Sequence, residues 1–162
     1  MKASLTVLSA AVLLAIAPIA AEGQVLLGPT LAWHDDVDIG IGATVGFELP
    51  AIAEGVGFLG DFLLFFPDGF DYFELNGNVT YDFPLAESTA VPFALGGLNL
   101  GHSSVDAGPL GDVSDTDVSL NLGGGVAFDA GSFRPKVGGR FIIGDGTSFV
   151  LFATLPFRVG TN

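Results

Sequence analysis

Ile39-Gly40-Ile41-Gly42-Ala43-Thr44-Val45-Gly46-Phe47-Glu48 changes character at every step. In an extended chain Ile39, Ile41, Ala43, Val45 and Phe47 share one side, and Gly40, Gly42, Thr44, Gly46 and Glu48 share the other. A period of two marks a strand whose faces meet different surroundings. Asp71 to Phe83 repeats the pattern, with Phe73, Leu75, Val79, Tyr81 and Phe83 opposed to Tyr72, Glu74, Asn76, Asn78, Thr80 and Asp82. From 118 to 128, Val118, Leu120, Leu122, Val126 and Phe128 oppose Ser119, Asn121, Gly123, Gly125 and Ala127.

Extending the reading to the weaker segments predicts strands over about 24–33, 38–49, 56–66, 71–83, 91–101, 116–128, 133–143 and 147–159. Each is near the ~9 to 11 residues of a tilted membrane-spanning strand. Connections after odd-numbered strands carry Asp, usually with Gly; those after even-numbered strands carry Pro or small residues. The expected fold is all-β, an eight-stranded antiparallel up-and-down barrel with the two kinds of turn on opposite rims.

Composition decides which face points out. The less apolar face is Gly, Thr, Ser and Asn with isolated charges, which suits the crowded interior of an eight-stranded barrel and not a water-facing surface. The apolar face is therefore expected to meet lipid, with Trp33, Tyr81, Phe66, Phe70, Phe83, Phe128 and Phe157 as interfacial girdles. A soluble lipocalin-like carrier with the apolar face inward is the competing arrangement, and the composition of the other face disfavours it.

Ahead of the barrel, Lys2 precedes an apolar run from Leu5 to Ala21 broken by Pro18, with small residues before Glu22. This reads as a cleaved secretory signal peptide over residues 1–21, leaving residues 22–162 as the barrel domain. The 162 residues include 24 Gly, 15 Phe and no Cys, which excludes disulfides and Cys-ligated metal sites. Five bases face 18 acids; losing Lys2 with the leader leaves four against 18, a net of −14. Nucleic-acid binding is excluded, because nothing neutralises a row of phosphates. No phosphate-binding loop or haem-attachment signature is present, and no cofactor is expected.

The phase of the alternation sorts the charges. Arg134, Lys136, Arg140 and Arg158 fall on the lumen face, as do Glu48, Asp61, Glu74 and Asp82, with Asp129 at the preceding turn. Up-and-down threading puts Glu48, Asp82 and Asp129 level with Arg134, Lys136 and Arg158, and Asp61 and Glu74 nearer Arg140. A lumen salt-bridge network is expected, since removing one partner of a buried pair costs ~3 to 5 kcal/mol. Asp35, Asp36, Asp38, Asp68, Asp71, Asp106, Asp112, Asp115, Asp117 and Asp145 fall at the odd rim, where a solvated acidic surface is expected. Divalent cations or a surface partner are the sharper readings of that rim, although Asp112, Asp115 and Asp117 lack the Gly and distal Glu of an EF-hand loop.

Leu120-Asn121-Leu122-Gly123-Gly124-Gly125-Val126-Ala127-Phe128, Arg134 to Phe141 and Phe149-Val150-Leu151-Phe152 resemble the closing strands of the small OmpA-like and OmpX-like bacterial outer-membrane barrels. The likeness extends loosely over residues 22–159. It implies an outer-membrane location, contact with outer-membrane lipid, insertion by the barrel-assembly machinery, a monomer, and a role in envelope integrity, adhesion or surface interaction. Members often end on an aromatic residue, whereas Phe157 is followed here by Arg158-Val159-Gly160-Thr161-Asn162. Lipid A-modifying enzymes share the scaffold, and His102-Ser103-Ser104 is similar to the His-x-Ser spacing of a deacylase, with Asp115 or Asp117 as the available acids. His102 reads more simply as a rim residue, and His34, beside Trp33, as an interfacial one.

Overall fold

The computed structural model describes residues 25–85, 88–106, 108 and 111–159. The leader reading over residues 1–21 and the chain end at 160–162 lie outside the described residues. The strands are β1 (Val25–His34), β2 (Asp38–Glu48), β3 (Val56–Phe65), β4 (Asp71–Asp82), β5 (Ala90–Asp106), β6 (Asp112–Phe128), β7 (Lys136–Ile143), β8 (Thr147–Thr154) and β9 (Phe157–Val159). Each pairs antiparallel with its neighbours, and β1 closes the sheet by pairing β2 on one side and β8 and β9 on the other. Closure removes every sheet edge at the level of the wall, the condition for a sheet to stand in hydrocarbon.

Nine elements make eight staves. The eighth stave is broken at Leu155 and Pro156, because Pro156 has no N–H for the ladder. The Leu155 N–H still donates to the Pro29 carbonyl at 3.0 Å, so the strand resumes beside β1 as β9. The seventh starts at Lys136, not 133, with Phe133 held by isolated bridges to Ala130 and Phe157.

The largest departure from expectation lies between residues 102 and 115, read from sequence as a loop. Here β5 runs on to Asp106 and β6 begins at Asp112, with Ser103 opposite Asp115, Ser104 opposite Ser114 and Val105 opposite Val113. Ser, Asp and Gly carry weak strand propensity, but continuous pairing with a neighbouring strand overrides it. On its other side β6 first meets β7 at Leu120, so Asp112 to Ser119 run beside β5 with the other edge unpaired among the described residues; β5 keeps β4 as a neighbour up to Ser104, and the hairpin arm projects beyond that point.

The outer wall is apolar: Leu31, Ile41, Leu64, Val79, Leu98, Leu122, Val137 and Leu151 all stand exposed. Trp33, Phe66, Tyr81, Phe83, Phe128 and Phe157 are exposed at its margins. Phe70 instead packs partly buried against the interior cluster, and Phe47 is buried on the ring of Phe58, centroids 5.0 Å apart. Among the described residues no helix is long and apolar enough to cross a membrane.

The lumen is less polar than composition suggested. Leu63, Phe65, Phe93, Leu95, Ile142, Val150 and Phe152 point inward and form a packed cluster. Apart from Asp61 on β3 and the Ser and Thr residues of β8, these two strands are apolar on both faces, which lets a narrow barrel fill its interior with hydrocarbon between its charged groups.

Candidate functional site: the lumen network and the acidic rim

Arg140 projects from β7 into the middle of the lumen, where 1% of its side chain is exposed. Its Nη1 donates to Asp61 Oδ2 at 2.9 Å, and its Nη2 donates to Asp61 Oδ1 at 3.0 Å and Glu74 Oε2 at 3.2 Å. The fork on Asp61 is the bidentate geometry in which guanidinium and carboxylate match best. Glu74 is fully buried, and Asn76 Nδ2 donates to it at 3.2 Å and the Tyr72 hydroxyl at 3.4 Å. Neighbouring register positions on β3 and β4 thus bring two carboxylates to one guanidinium from across the barrel, four and three strands away.

His34 belongs to this cluster, correcting its reading as an interfacial residue. It is buried, with Nε2 3.5 Å from Glu74 Oε1 and its ring edge-on to Phe65 and Tyr72. The Asp36 N–H donates to His34 Nδ1 at 3.0 Å, which places the ring proton on Nε2, facing Glu74. The even-numbered phase of β1 turns His34 inward and Trp33 outward, so adjacency to Trp33 was misleading.

Below this cluster lies an amide ladder that the charges had overshadowed. Asn121 Nδ2 donates to Asn76 Oδ1 at 2.8 Å and Asn78 Oδ1 at 2.9 Å, and Asn99 Nδ2 donates to Asn76 Oδ1 at 2.9 Å. Gly97 lies in register between Asn78 and Asn121. A Cβ there would stand 2.8 Å from Asn78 Oδ1, so only glycine leaves room for the amide to reach across. The signal was present as Asn at lumen phase, but its meaning depends on cross-strand register.

The remaining charges separate into two groups. Arg134 Nη2 donates to Asp82 Oδ2 at 2.8 Å, and Lys136 Nζ lies 3.8 Å from Asp82 Oδ1. Glu48 is 3.5 Å from Arg134 but 69% exposed, at the mouth and not in the lumen. Arg158 and Asp129, expected inside, form an exposed 3.1 Å pair at the rim, with Arg158 also donating to the Gly131 carbonyl. Arg158 keeps the inward phase, opposite buried Leu26 and between outward Phe157 and Val159, but β9 lies at the end of the barrel, where the pair meets solvent. Exposed pairs of this kind are worth at most about 1 kcal/mol.

At the odd rim Asp35 and Asp36 are engaged side chains. Asp35 Oδ1 accepts the Phe149 N–H at 2.9 Å and Asp36 Oδ2 accepts the Ser148 hydroxyl at 2.6 Å, tying the β1–β2 turn to β8. With His34 they are the one group among the described residues whose donor atoms could converge on a metal ion, and those donors already have partners. Asp38 opens β2 at φ 65°, a left-handed conformation that Asp tolerates. Asp68 lies in the β3–β4 turn, Asp71 starts β4, and Asp106 and Asp112 face each other across the hairpin. Asp115, Asp117 and Asp145 line a vestibule of about 400 Å³ at the lumen mouth together with Asp36. Asp115 holds the carboxyl of Asp117 above the usual carboxylate range, and Asp145 adds to the effect.

The His-x-Ser reading does not assemble. His102 and Ser104 share the outward phase of β5, whereas Asp115 and Asp117 take the inward phase of β6. His102 Nδ1 lies 2.7 Å from the Thr116 hydroxyl, with its ring on Phe73. Among the described residues no carboxylate orients it.

No family model matches this sequence, and no curated protein matches it. Solved structures do. Neisserial surface protein A is similar over 85% of this chain and 97% of its own, with 17% identity and a TM-score of 0.65. The N-terminal β-barrel domain of Pseudomonas aeruginosa OprF covers 85% and 100%, with 12% identity and a TM-score of 0.67. Ail, the attachment invasion locus protein of Yersinia pestis, covers 85% and 97%, with 15% identity and a TM-score of 0.60. At these identities the likeness is one of fold. The fold is that of the eight-stranded β-barrels of the bacterial outer membrane, and the apolar outer wall with its aromatic margins accords with it.

Proposed function

We propose that this barrel is exported by its leader, inserted by the barrel-assembly machinery as a monomer, and acts without catalysis as a closed-lumen surface-interaction protein. Packed Phe93, Leu95 and Phe152, with the Arg140 network above them, support closure to ions. The observation that carries the interaction role is the hairpin arm of β5 and β6. Its β5 strand stays paired with β4 as far as Ser104, while the β6 edge from Asp112 to Ser119 has no partner strand among the described residues, and Asp115 and Asp117 line the acidic vestibule. An unpaired edge offers main-chain hydrogen bonds to an extended segment, and the carboxylates select a cationic one.

The test is binding of a labelled oligolysine peptide to the purified barrel in zwitterionic nanodiscs. Saturable binding that weakens with salt is expected, with at least a tenfold loss in D115N/D117N/D145N. A raised carboxyl pKa means that Asp117 takes up a proton sooner than an ordinary Asp as the pH falls. Affinity should therefore decline first through that raised range. Equal binding of an oligoglutamate peptide would contradict the role, and steady single-channel currents in a planar bilayer would contradict closure.

A further inference from the structure

At the even rim the lumen holds the reverse of the arrangement around Arg140, where two carboxylates face one guanidinium. A cavity of about 270 Å³ opens there, with Pro50, Ala53 and Glu54 of the β2–β3 turn at its mouth. Inside it is mainly apolar, walled by Leu26, Leu59, Val91 and Pro156. Two cations enter this space from β7 and the residues before it. Arg134 engages Asp82 through Oδ2, and Asp82 Oδ1 has no hydrogen bond among the described residues. Lys136 is 5% exposed, and its Nζ stands 3.8 Å from that oxygen and 4.9 Å from the centroid of Phe93. Among the described residues no acceptor lies within hydrogen-bonding distance of it. One buried carboxylate is thus shared by two cations, with Glu48 solvated outside, and an ammonium with three unmet N–H donors faces the cavity. Burying such a group without partners is costly, and an acceptor brought to it relieves that cost.

We propose that this cavity binds an amphiphilic monocarboxylate, its carboxylate accepting from Lys136 and its short apolar chain lying against Leu26, Leu59 and Val91. In the cavity interior Arg134 and Lys136 face Asp82 alone, with Glu48 and Glu54 at the solvent-exposed mouth, so a monoanion balances the interior, whereas a phosphate dianion would bring a second negative charge into apolar surroundings. At ~30 Å³ per liquid water the cavity holds about nine water volumes, room for an acid the size of hexanoate. A mostly apolar pocket with a few converging polar groups is the usual form of a small-molecule site.

The probe is hexanoate, titrated into the full barrel in zwitterionic nanodiscs and followed by the amide resonances of Gly57, Leu59 and Thr80. Saturable shifts with a Kd of about 1 mM or tighter are expected for a ligand this small. Lys136→Met should weaken binding at least tenfold. Val91→Phe, which fills the cavity while keeping the lysine, should do the same, and it decides the matter if Lys136→Met fails to fold. Hexanol should bind at least tenfold more weakly and phosphate should not compete. Absence of saturation, equal binding of hexanol, competition by phosphate or unchanged binding in Val91→Phe would each overturn the assignment.

Discussion

Replacing Arg140 by Met is expected to lower the stability of the refolded barrel by ~3 to 5 kcal/mol, read as a shift of the urea unfolding midpoint in lipid vesicles. The loss is not the strength of a salt bridge. It is the cost of leaving Asp61 and fully buried Glu74 facing each other without a cation, among apolar neighbours such as Leu63. The size of the effect should therefore depend on those two carboxylates. In a D61N/E74Q background, where no negative charge remains to be compensated, the same substitution should cost much less, and the cycle isolates the coupling. A midpoint moved by less than about 1 kcal/mol in the otherwise native chain would show that water, and not Arg140, compensates the pair.

The second large effect is expected on the opposite side of the wall. Leu98 is exposed, in register with Gly77 on β4 and Leu120 on β6, well inside the aromatic margins. An arginine there would stand in hydrocarbon, at a cost of ~2 to 4 kcal/mol for a lipid-facing midplane position. Val105→Arg makes the same chemical change on the hairpin arm, where Val105 is exposed to water, and should fall within about 0.5 kcal/mol of the native chain. Comparing the two variants separates a membrane wall from a soluble one. If Leu98→Arg proves as benign as Val105→Arg, the apolar belt does not face lipid.

The barrel was legible in the sequence wherever its two faces met different surroundings. β2, β4 and β6 alternate strictly because lipid lies on one side and Gly, Asn and charge on the other, and the same phase located Arg140, Asp61 and Glu74 before any coordinates. Period two fades where both surroundings are apolar. In Phe58-Leu59-Gly60-Asp61-Phe62-Leu63-Leu64-Phe65 the inward Leu59, Leu63 and Phe65 look like the outward Phe58, Phe62 and Leu64, so the hydrocarbon filling of the lumen was hidden. The hairpin arm was hidden for the opposite reason. Its strand state comes from pairing of β5 with β6, and Ser103, Ser104, Asp115 and Asp117 carry no local preference that announces it. His34 follows the phase of β1 and not its neighbour Trp33, whereas Arg158 keeps its lumen phase but lies at the rim, where β9 ends the barrel. The amide ladder depends on which strand lies opposite Asn76, a relation that composition does not contain.

The surface role proposed for this barrel requires its outer wall to lie in a bilayer. The most direct measurement is fractionation of cells expressing the full chain, followed by electrophoresis of the membrane fraction with and without heating. The expected result is recovery in the outer membrane, resistance to carbonate extraction, and a band that changes mobility only after boiling. A protein recovered in the soluble periplasmic fraction, with one mobility in both samples, would contradict it.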